Sequence, residues 1–430
     1  MGAWLDQQWE PSLQSGLPRR DRRGGHYRAY VPEPLTSLPL TLDSDLSLAL
    51  AAAERSVRSL ADEPGADALG GLSRFLMRSE AIASSMIEGI APSPQQVALA
   101  ELAQDEPVRG FSDQARLVAN NVTVLREASR ALATADHVTT DDVVRLHAAL
   151  LPDEHHHGLR RVQNWIGGST WHPLDADFVH PPPVLVDALM VDLVDYLNGA
   201  SHAPLVQAAF VHAQFETIHP FTDGNGRVGR ALIHTVRARR GLTRDAVLPV
   251  STVLATLRDT YVTGLTAFRF EGPAASDGAT AGTSTWLRVF AEATRIAAEQ
   301  ARELIADVAD LRSAWETQLA EHRGASGLRN APRADSATAR LLGRLPEAPI
   351  VTARSTQRLL GVSFPTARAA LEELANAGIL QRKSVERNTT GYLAGDVFDV
   401  LTHTERRLAS TQFDTRVSAP NRPVPAPPGP

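Results

Sequence analysis

Residues 219–230 read His-Pro-Phe-Thr-Asp-Gly-Asn-Gly-Arg-Val-Gly-Arg. Upstream, residues 204–218 carry apolar side chains at Val206, Phe210, Ala213 and Ile218 with polar ones between, a helical period. Pro220 disfavours helical geometry at the residue before it, so this helix is expected to end at about His219 and to present an imidazole at its terminus. Gly224-Asn225-Gly226 lets the backbone take positive φ and approach a ligand closely. Successive N–H groups in such a turn make a concave anion site, and the next helix starts there with its positive dipole end. Arg227 and Arg230, three apart, share one face of that helix, and guanidinium forks match phosphate oxygens. Asp223 offers a hard oxygen ligand beside the phosphates, where Mg²⁺ normally sits, while Phe221 reads as a core plug. Singly, each has an ordinary reading as a satisfied surface histidine, a turn or solvated arginines. In one uninterrupted string they are the parts that hold a nucleoside triphosphate and move one of its phosphoryl groups.

The string resembles the motif H-P-F-x-[D/E]-G-N-G-R-x-x-R of Fic-domain proteins, and every defined position is met. Residues 158–168, 178–183 and 248–251, and Tyr261 with Leu265, look like flanking blocks of the same family, so the resemblance runs over roughly residues 27–300. It implies a mainly α fold: an all-helical core with a small β-hairpin flap, followed by a C-terminal winged-helix domain. Family members mostly transfer AMP from ATP to a protein hydroxyl. A divergent branch that transfers phosphate carries Lys where Gly226 stands, so Gly226 favours AMP transfer. Carried over by motif position, His219 is the general base for a Ser, Thr or Tyr hydroxyl, and Asp223 holds Mg²⁺. The backbone of Gly224, Asn225 and Gly226, with Arg227, cradles the α- and β-phosphates. Arg230 takes the γ-phosphate, and Tyr261 joins the ATP site.

Ahead of this core, residues 72–88 place Leu72, Phe75, Leu76, Ile82, Met86 and Ile87 at helical spacing, and Gly89 is a natural stop. Glu88 then falls in the last turn, where a carboxylate opposes the helix dipole and should find a cation. Ser84 lies four residues back on the same face. From the residues alone an exposed Glu is the ordinary reading. The resemblance reverses it: Ser84-Ser-Met-Ile-Glu88-Gly89 fits the family's inhibitory pattern [S/T]-x-x-x-E-[G/N]. In such proteins this Glu pairs with the second motif arginine, here Arg230, and ATP binds in an unproductive pose. In some relatives the same Glu supports removal of AMP from the target.

Residues 160–183, with Trp165, Gly167, Gly168, Trp171 and a Pro-rich end, read as extended chain and loop. In the family this region is a flap that clamps the target by strand pairing, with Val179 and His180 facing the site. The triplet His155-His156-His157 reads as an exposed loop, since consecutive histidines do not converge on one ion.

The 430 residues divide on this reading into an N-terminal helical region (1–115), a catalytic core (116–300), a connecting helix and linker (301–335), a winged helix-turn-helix (336–403) and a disordered tail (404–430). Residues 1–35 are expected to be irregular, with Arg19, Arg20, Arg22 and Arg23 on a solvated arm, and residues 271–284 to be a loop before one long helix. In the third segment Gly361-Val-Ser363 makes the turn between helices at 352–360 and 364–377, and residues 381–393 form a hairpin wing. Arg354, Arg358, Arg368, Arg382, Lys383 and Arg387 are candidate phosphate contacts. Yet eight Lys or Arg stand against six Asp or Glu there, short of a basic footprint, so DNA and protein partners stay equally open. A hydrophobic content of 43%, charged content of 21%, net charge of −6 and no cysteine describe an ordinary globular chain without disulfides, thiol catalysis or cysteine zinc sites. No apolar stretch nears membrane-spanning length and no signal pattern opens the chain, which points to the cytoplasm. Two function classes follow: an autoinhibited protein AMP-transferase using ATP and Mg²⁺ on a hydroxyl-bearing protein target, with a homodimer left open, or a DNA-binding regulator or interaction protein.

Overall fold

The computed structural model describes residues 2–12, 16–62, 69–151, 154–243 and 248–411. The chain is mainly α-helical, with three small antiparallel sheets among the described residues. Along the first half run β1 (Ala3–Trp9), β2 (Gly25–Val31), α1 (Ser44–Arg58), α2 (Leu69–Ile87), α3 (Pro94–Leu102), α4 (Asp113–Thr134), α5 (Thr140–Leu150), β3 (Trp165–Ile166), β4 (Phe178–Val179) and α6 (Pro183–Asn198). There follow α7 (Pro204–Ile218), α8 (Asn225–Arg239), α9 (Val250–Thr256), α10 (Arg258–Phe268), α11 (Asp277–Ala325), α12 (Ala337–Arg344), β5 (Ile350–Val351), α13 (Ala353–Leu360), α14 (Phe364–Asn376), β6 (Gln381–Glu386), β7 (Thr389–Leu393) and α15 (Gly395–Thr411). No described helix is long and apolar enough to cross a membrane. Backbone contacts group Met1–Val57, Val124–Arg244 and Arg258–Arg295 into one compact unit, and Arg58–Thr123, Asp245–Leu257 and Ile296–Pro430 into a second.

The first unit is built on α7, whose residues are buried on every face except at Pro204 and Glu216. Ala208, Ala209 and Ala213 keep that helix thin, so α8 and α6 lie close against it while Phe210 and Phe215 fill the space between. Trp286 of α11 is fully buried and its indole N–H donates to the Ala209 carbonyl at 2.8 Å, which gives its polar end a partner as burial requires. β1 and β2 pair in register from Ala3 opposite Val31 to Trp9 opposite Gly25. Trp4 packs edge-on against Tyr30 and Phe178, and Trp9 against Trp165, so the hairpin leans on β3 and β4.

Residues 1–35 are therefore not irregular. The aromatics of β1 and β2 form a sheet ladder, and the arginine-rich segment is the connection between the strands, where Arg23 pairs with Asp175 at 2.8 Å. The loop expected at 271–284 is also shorter, because α11 already starts at Asp277. The Ser276 hydroxyl accepts from the Ala279 N–H at 3.1 Å and caps it. A side chain at position 282 would run into the Ala267 carbonyl, so Gly282 lets α11 lie against α10.

In the second unit α2 packs on α9. The buried Glu80 carboxylate takes both the Ser251 N–H, at 2.8 Å, and the Ser251 hydroxyl, which ties the 248–251 block to α2. The C-terminal part runs helix, strand, two helices and a hairpin, with strand order β5-β7-β6. A Thr352–Ser355 capping box starts α13, Gly361 closes it at φ 63°, and Ser363 caps α14. This part sits on α3 through Ile350 and Val385, which pack with Ala98, Leu99, Leu102 and Val108. The Thr352 hydroxyl and Arg358 both bond Glu106, at 2.7 and 2.9 Å. The start of the expected tail, from 404, is instead helical, since α15 continues to Thr411; residues 412–430 lie outside the described residues.

Candidate active site

α7 ends where Pro220 requires, with His219 as its C-cap in the left-handed region at φ 51°, ψ 62°. A non-glycine residue there is strained and persists only where its surroundings hold it. The main holder is Arg160, which is 2% exposed. Its Nε donates to the His219 carbonyl at 2.8 Å, its Nη1 to Val162 at 2.9 Å, and its Nη2 to Pro181 at 2.7 Å and Ile218 at 3.2 Å. Its own N–H adds a bond to the Pro220 carbonyl at 2.8 Å. Burial lowers the Arg160 pKa to about 10, so it stays a cation at neutral pH. Asn164 Nδ2 donates to the His219 and Phe221 carbonyls at 3.2 Å each and approaches His219 Nδ1 at 2.9 Å. The His180 ring lies flat on His219, centroids 4.2 Å apart.

The loop that follows is clamped from both sides. Asn225 accepts from the Phe221 N–H at 2.9 Å and donates to its carbonyl at 2.8 Å. Phe221 is the fully buried plug expected, stacked on His147 at 3.7 Å, and His147 Nε2–H donates to the Asp223 carbonyl at 3.0 Å. Gly224, at φ 73°, is the N-cap of α8, and a Cβ there would come within 2.6 Å of Leu151. Gly224 brings no side-chain cap to this helix, so its first N–H groups, with Gly226 among them, lack an intrahelical acceptor, as at any helix start. Arg227 and Arg230 leave its first turn with 4% and 2% of their surface exposed. The Asp223 carboxylate stays exposed, with one oxygen accepting from the Gly224 N–H at 2.7 Å and the other 3.7 Å from Arg227.

Among the described residues no three His, Cys, Asp or Glu side chains form a metal cage. Asp223 instead fits the way Mg²⁺ is usually held, by one or two carboxylates together with substrate phosphates. Of the histidine triplet, His155 and His157 are exposed, but residues Glu154–His156 form one turn of 3-10 helix rather than a loop, and the half-buried His156 bonds the Thr222 hydroxyl at 2.9 Å.

Three expected site residues are buried. Tyr261, expected at the nucleotide, is 5% exposed, with its hydroxyl 2.9 Å from His212 Nε2. It also hydrogen-bonds Arg230, so it stands behind that arginine and supports it, as a buried phenol needs partners for its polar end. Val179 and His180 are 4% and 0% exposed. His180 reaches the site, but as the ring beneath His219, with its Nδ1–H on the Thr217 carbonyl at 3.0 Å. The apolar side chains this flap exposes are Val162, Ile166 and Trp171. Ser84 is buried in α2 and Glu88 follows the last residue of that helix, half-buried, with its N–H on the Ser85 carbonyl at 3.0 Å. Both belong to the second unit and Arg230 to the first. Sequence reading missed Arg160, Asn164 and His147 as supports of the motif. They lie 59, 55 and 76 residues from the groups they hold; for Arg160 and Asn164 a polar residue inside a loop-like block was the available signal, while His147 lies on α5.

Burial depresses four ring pKa values: His219 to about 3, with the Arg160 and Arg269 cations adding to it, His212 to about 3, His147 to about 4, and His180 well below its usual value. His219 is thereby a neutral imidazole at any pH near 7. The same shifts bear on stability. Below about pH 6.5 the unfolded chain takes up protons that the folded rings refuse, so this stability is complete above that pH and lost toward about pH 3–4, at up to about 1.4 kcal/mol per pH unit for each ring. The thermal midpoint is expected to fall already between about pH 6.5 and 5.5, where most carboxylates remain ionised. A midpoint that stays flat across that interval contradicts the buried neutral rings.

Residues 137–236 match the family model described as Fic/DOC family. The chain is 32% identical over 123 residues to protein adenylyltransferase fic-1 of Caenorhabditis elegans, covering 27% of this chain and 22% of that protein. It is 36% identical over 85 residues to a probable protein adenylyltransferase of Aquifex aeolicus, covering 20% of this chain and 27% of that one. The chain thus spans about a quarter of the length of these relatives. A solved Fic family protein from Desulfovibrio desulfuricans aligns with 84% of this chain and 98% of its own, at 22% identity and a TM-score of 0.48.

Proposed function

We propose, from the Fic domain over residues 137–236, that the chain transfers AMP from ATP to a hydroxyl of a protein target or of itself. The arrangement around one loop carries the reading: a neutral, strained His219 precedes an uncapped helix N-terminus that also bears two buried arginines. The hydroxyl oxygen attacks the α-phosphorus, His219 takes its proton, and pyrophosphate leaves. The α8 N–H groups and Arg227 hold the α- and β-phosphates, and Arg230 fixes the γ-phosphate so that the α-phosphorus lies in line. Asp223 would hold Mg²⁺, which supplies positive charge to the phosphate oxygens. As a base, His219 needs its proton on Nδ1 and its lone pair on Nε2. Asn164 would then turn to offer its buried Oδ1, which as placed has no hydrogen-bond partner.

In the resting protein Glu88 pairs with Arg230 in place of the γ-phosphate, and ATP binds unproductively. The order of elements from α12 to β7 supports a winged helix-turn-helix as the recruiting module. The test is label transfer from ATP carrying label at the α- or the γ-phosphate, with Mg²⁺ and bacterial lysate. Protein labelled from the α-position alone is expected. Transfer from the γ-position would make this a phosphotransferase despite Gly226, and no transfer by Glu88→Gly protein would shift the weight to AMP removal or to binding.

A further inference from the structure

The His212 imidazole takes no part in the transfer step, yet it is fully buried in the first unit. It stands on α7, with the rings of Tyr261 and Trp286 centred 5.9 and 6.0 Å from its own. Gly229 of α8 makes room for it, since a Cβ there would lie 3.2 Å from His212 Nδ1 and 2.6 Å from Glu216 Oε1. A polar group buried so deeply costs stability unless it is hydrogen-bonded. Its Nε2 lies 2.9 Å from the Tyr261 hydroxyl, and that hydroxyl is hydrogen-bonded in turn to Arg230. The direction of each bond in this chain is fixed. A guanidinium carries donors alone, so the phenol oxygen accepts from Arg230 and its proton goes to His212 Nε2. His212 must therefore be a neutral ring with Nε2 unprotonated. Burial, with the Arg230 and Arg237 cations, holds the imidazole at about 3, and burial raises the phenol above its usual range. A protonated His212 would turn a donor toward the phenol and break the chain.

We propose that His212 is a positioning residue for the nucleotide. Acting through Tyr261, it holds the Arg230 guanidinium where a γ-phosphate arrives, and so gives the site its preference for a nucleoside triphosphate over a diphosphate. This role rests on the AMP-transfer reading, in which Arg230 meets the γ-phosphate. The three groups come from α7, α10 and α8, so His212 fixes where the phenol oxygen stands and the phenol oxygen fixes one side of the guanidinium. A long cationic side chain that must be ordered on binding gives up part of its contact energy, whereas one held beforehand keeps it. Loss of His212 is therefore felt at the γ-phosphate and leaves the α8 N–H groups and Arg227 as they are.

The test is calorimetric titration of the full chain with ATP and with ADP, each with Mg²⁺. Glu88→Gly and His219→Ala form the background, which removes the proposed inhibitory carboxylate and prevents turnover. There ATP is expected to bind at least about tenfold more tightly than ADP, the difference being one charge-assisted contact. Adding His212→Leu should reduce that ratio to about twofold or less and leave the ADP Kd within about twofold. Tyr261→Phe should do the same by removing one oxygen. His212→Gln, whose Oε1 can accept from the phenol, should keep most of the preference. Should His212→Leu fail to fold, Tyr261→Phe decides. An undiminished ratio in either variant overturns the role of His212 alone, and so does ADP weakening in step with ATP, which marks a loss of packing. A background that binds neither nucleotide overturns the AMP-transfer reading itself, and this role with it.

Discussion

Glu88→Gly protein is expected to label its target from α-labelled ATP about 10- to 100-fold faster than the native chain, the range of a typical coupling between two sites. Glu88 follows the last residue of α2, where the helix dipole disfavours a carboxylate and a cationic partner is worth most. Arg230 is the proposed partner, and within its own unit the Tyr261 hydroxyl supports it. Without Glu88 the guanidinium keeps that support and turns its outward donors to the γ-phosphate. Adding His219→Ala in the same background should lower the rate by about 10²- to 10⁴-fold, the usual contribution of a general base. An unchanged rate in Glu88→Gly sinks the inhibitory pairing. A rate that survives loss of His219 sinks the base assignment.

Arg160→Met is expected to destabilise the chain by about 3 kcal/mol or more and to abolish transfer even in the Glu88→Gly background. Methionine keeps much of the packing volume but leaves the carbonyls of Val162, Pro181, Ile218 and His219 without their shared donor. Those carbonyls belong to three separate stretches of chain, so the loss unfastens the left-handed turn at His219 as well as lowering the unfolding midpoint. Arg160→Lys should recover little, because one ammonium cannot spread its donors as the guanidinium fork does. Denaturant unfolding measures the first effect and label transfer the second. A variant with native stability and activity would show that Asn164 and the stacked His180 hold the turn without it.

The motif was legible because its signals are local. Pro220 ends α7, Gly224 starts α8, and each constraint acts on its neighbour in the chain. The same holds for the Thr352 box, Gly361 and Ser363, whose caps bound the C-terminal helices within a residue or so of expectation. What was not legible depends on contacts distant in sequence. The polar character of Arg160 and Asn164 predicts a loop and says nothing of which carbonyls they meet. The β1–β2 hairpin was hidden by its connection, whose Arg, Gly and Pro content outweighed the aromatics on either side. Tyr261 carries no mark of burial in its sequence context; His212 and Arg230 put it inside. The grouping of residues 58–123 with 296–430 likewise rests on the seat of Ile350 and Val385 against α3, which no periodicity encodes.

That seat has a consequence for ionic strength. Arg358 is committed to Glu106, and Arg382 to Glu372 and Asn376. All six candidate phosphate contacts are exposed, and the other four are Arg354, Arg368, Lys383 and Arg387. Each phosphate neutralised on duplex DNA releases about 0.9 of a counterion, so four such contacts limit the slope of log K against log salt to about −4. A duplex held on this face would therefore lose its grip gradually as salt rises, and a much steeper measured slope would mean that Arg358 or Arg382 had left its carboxylate to join them.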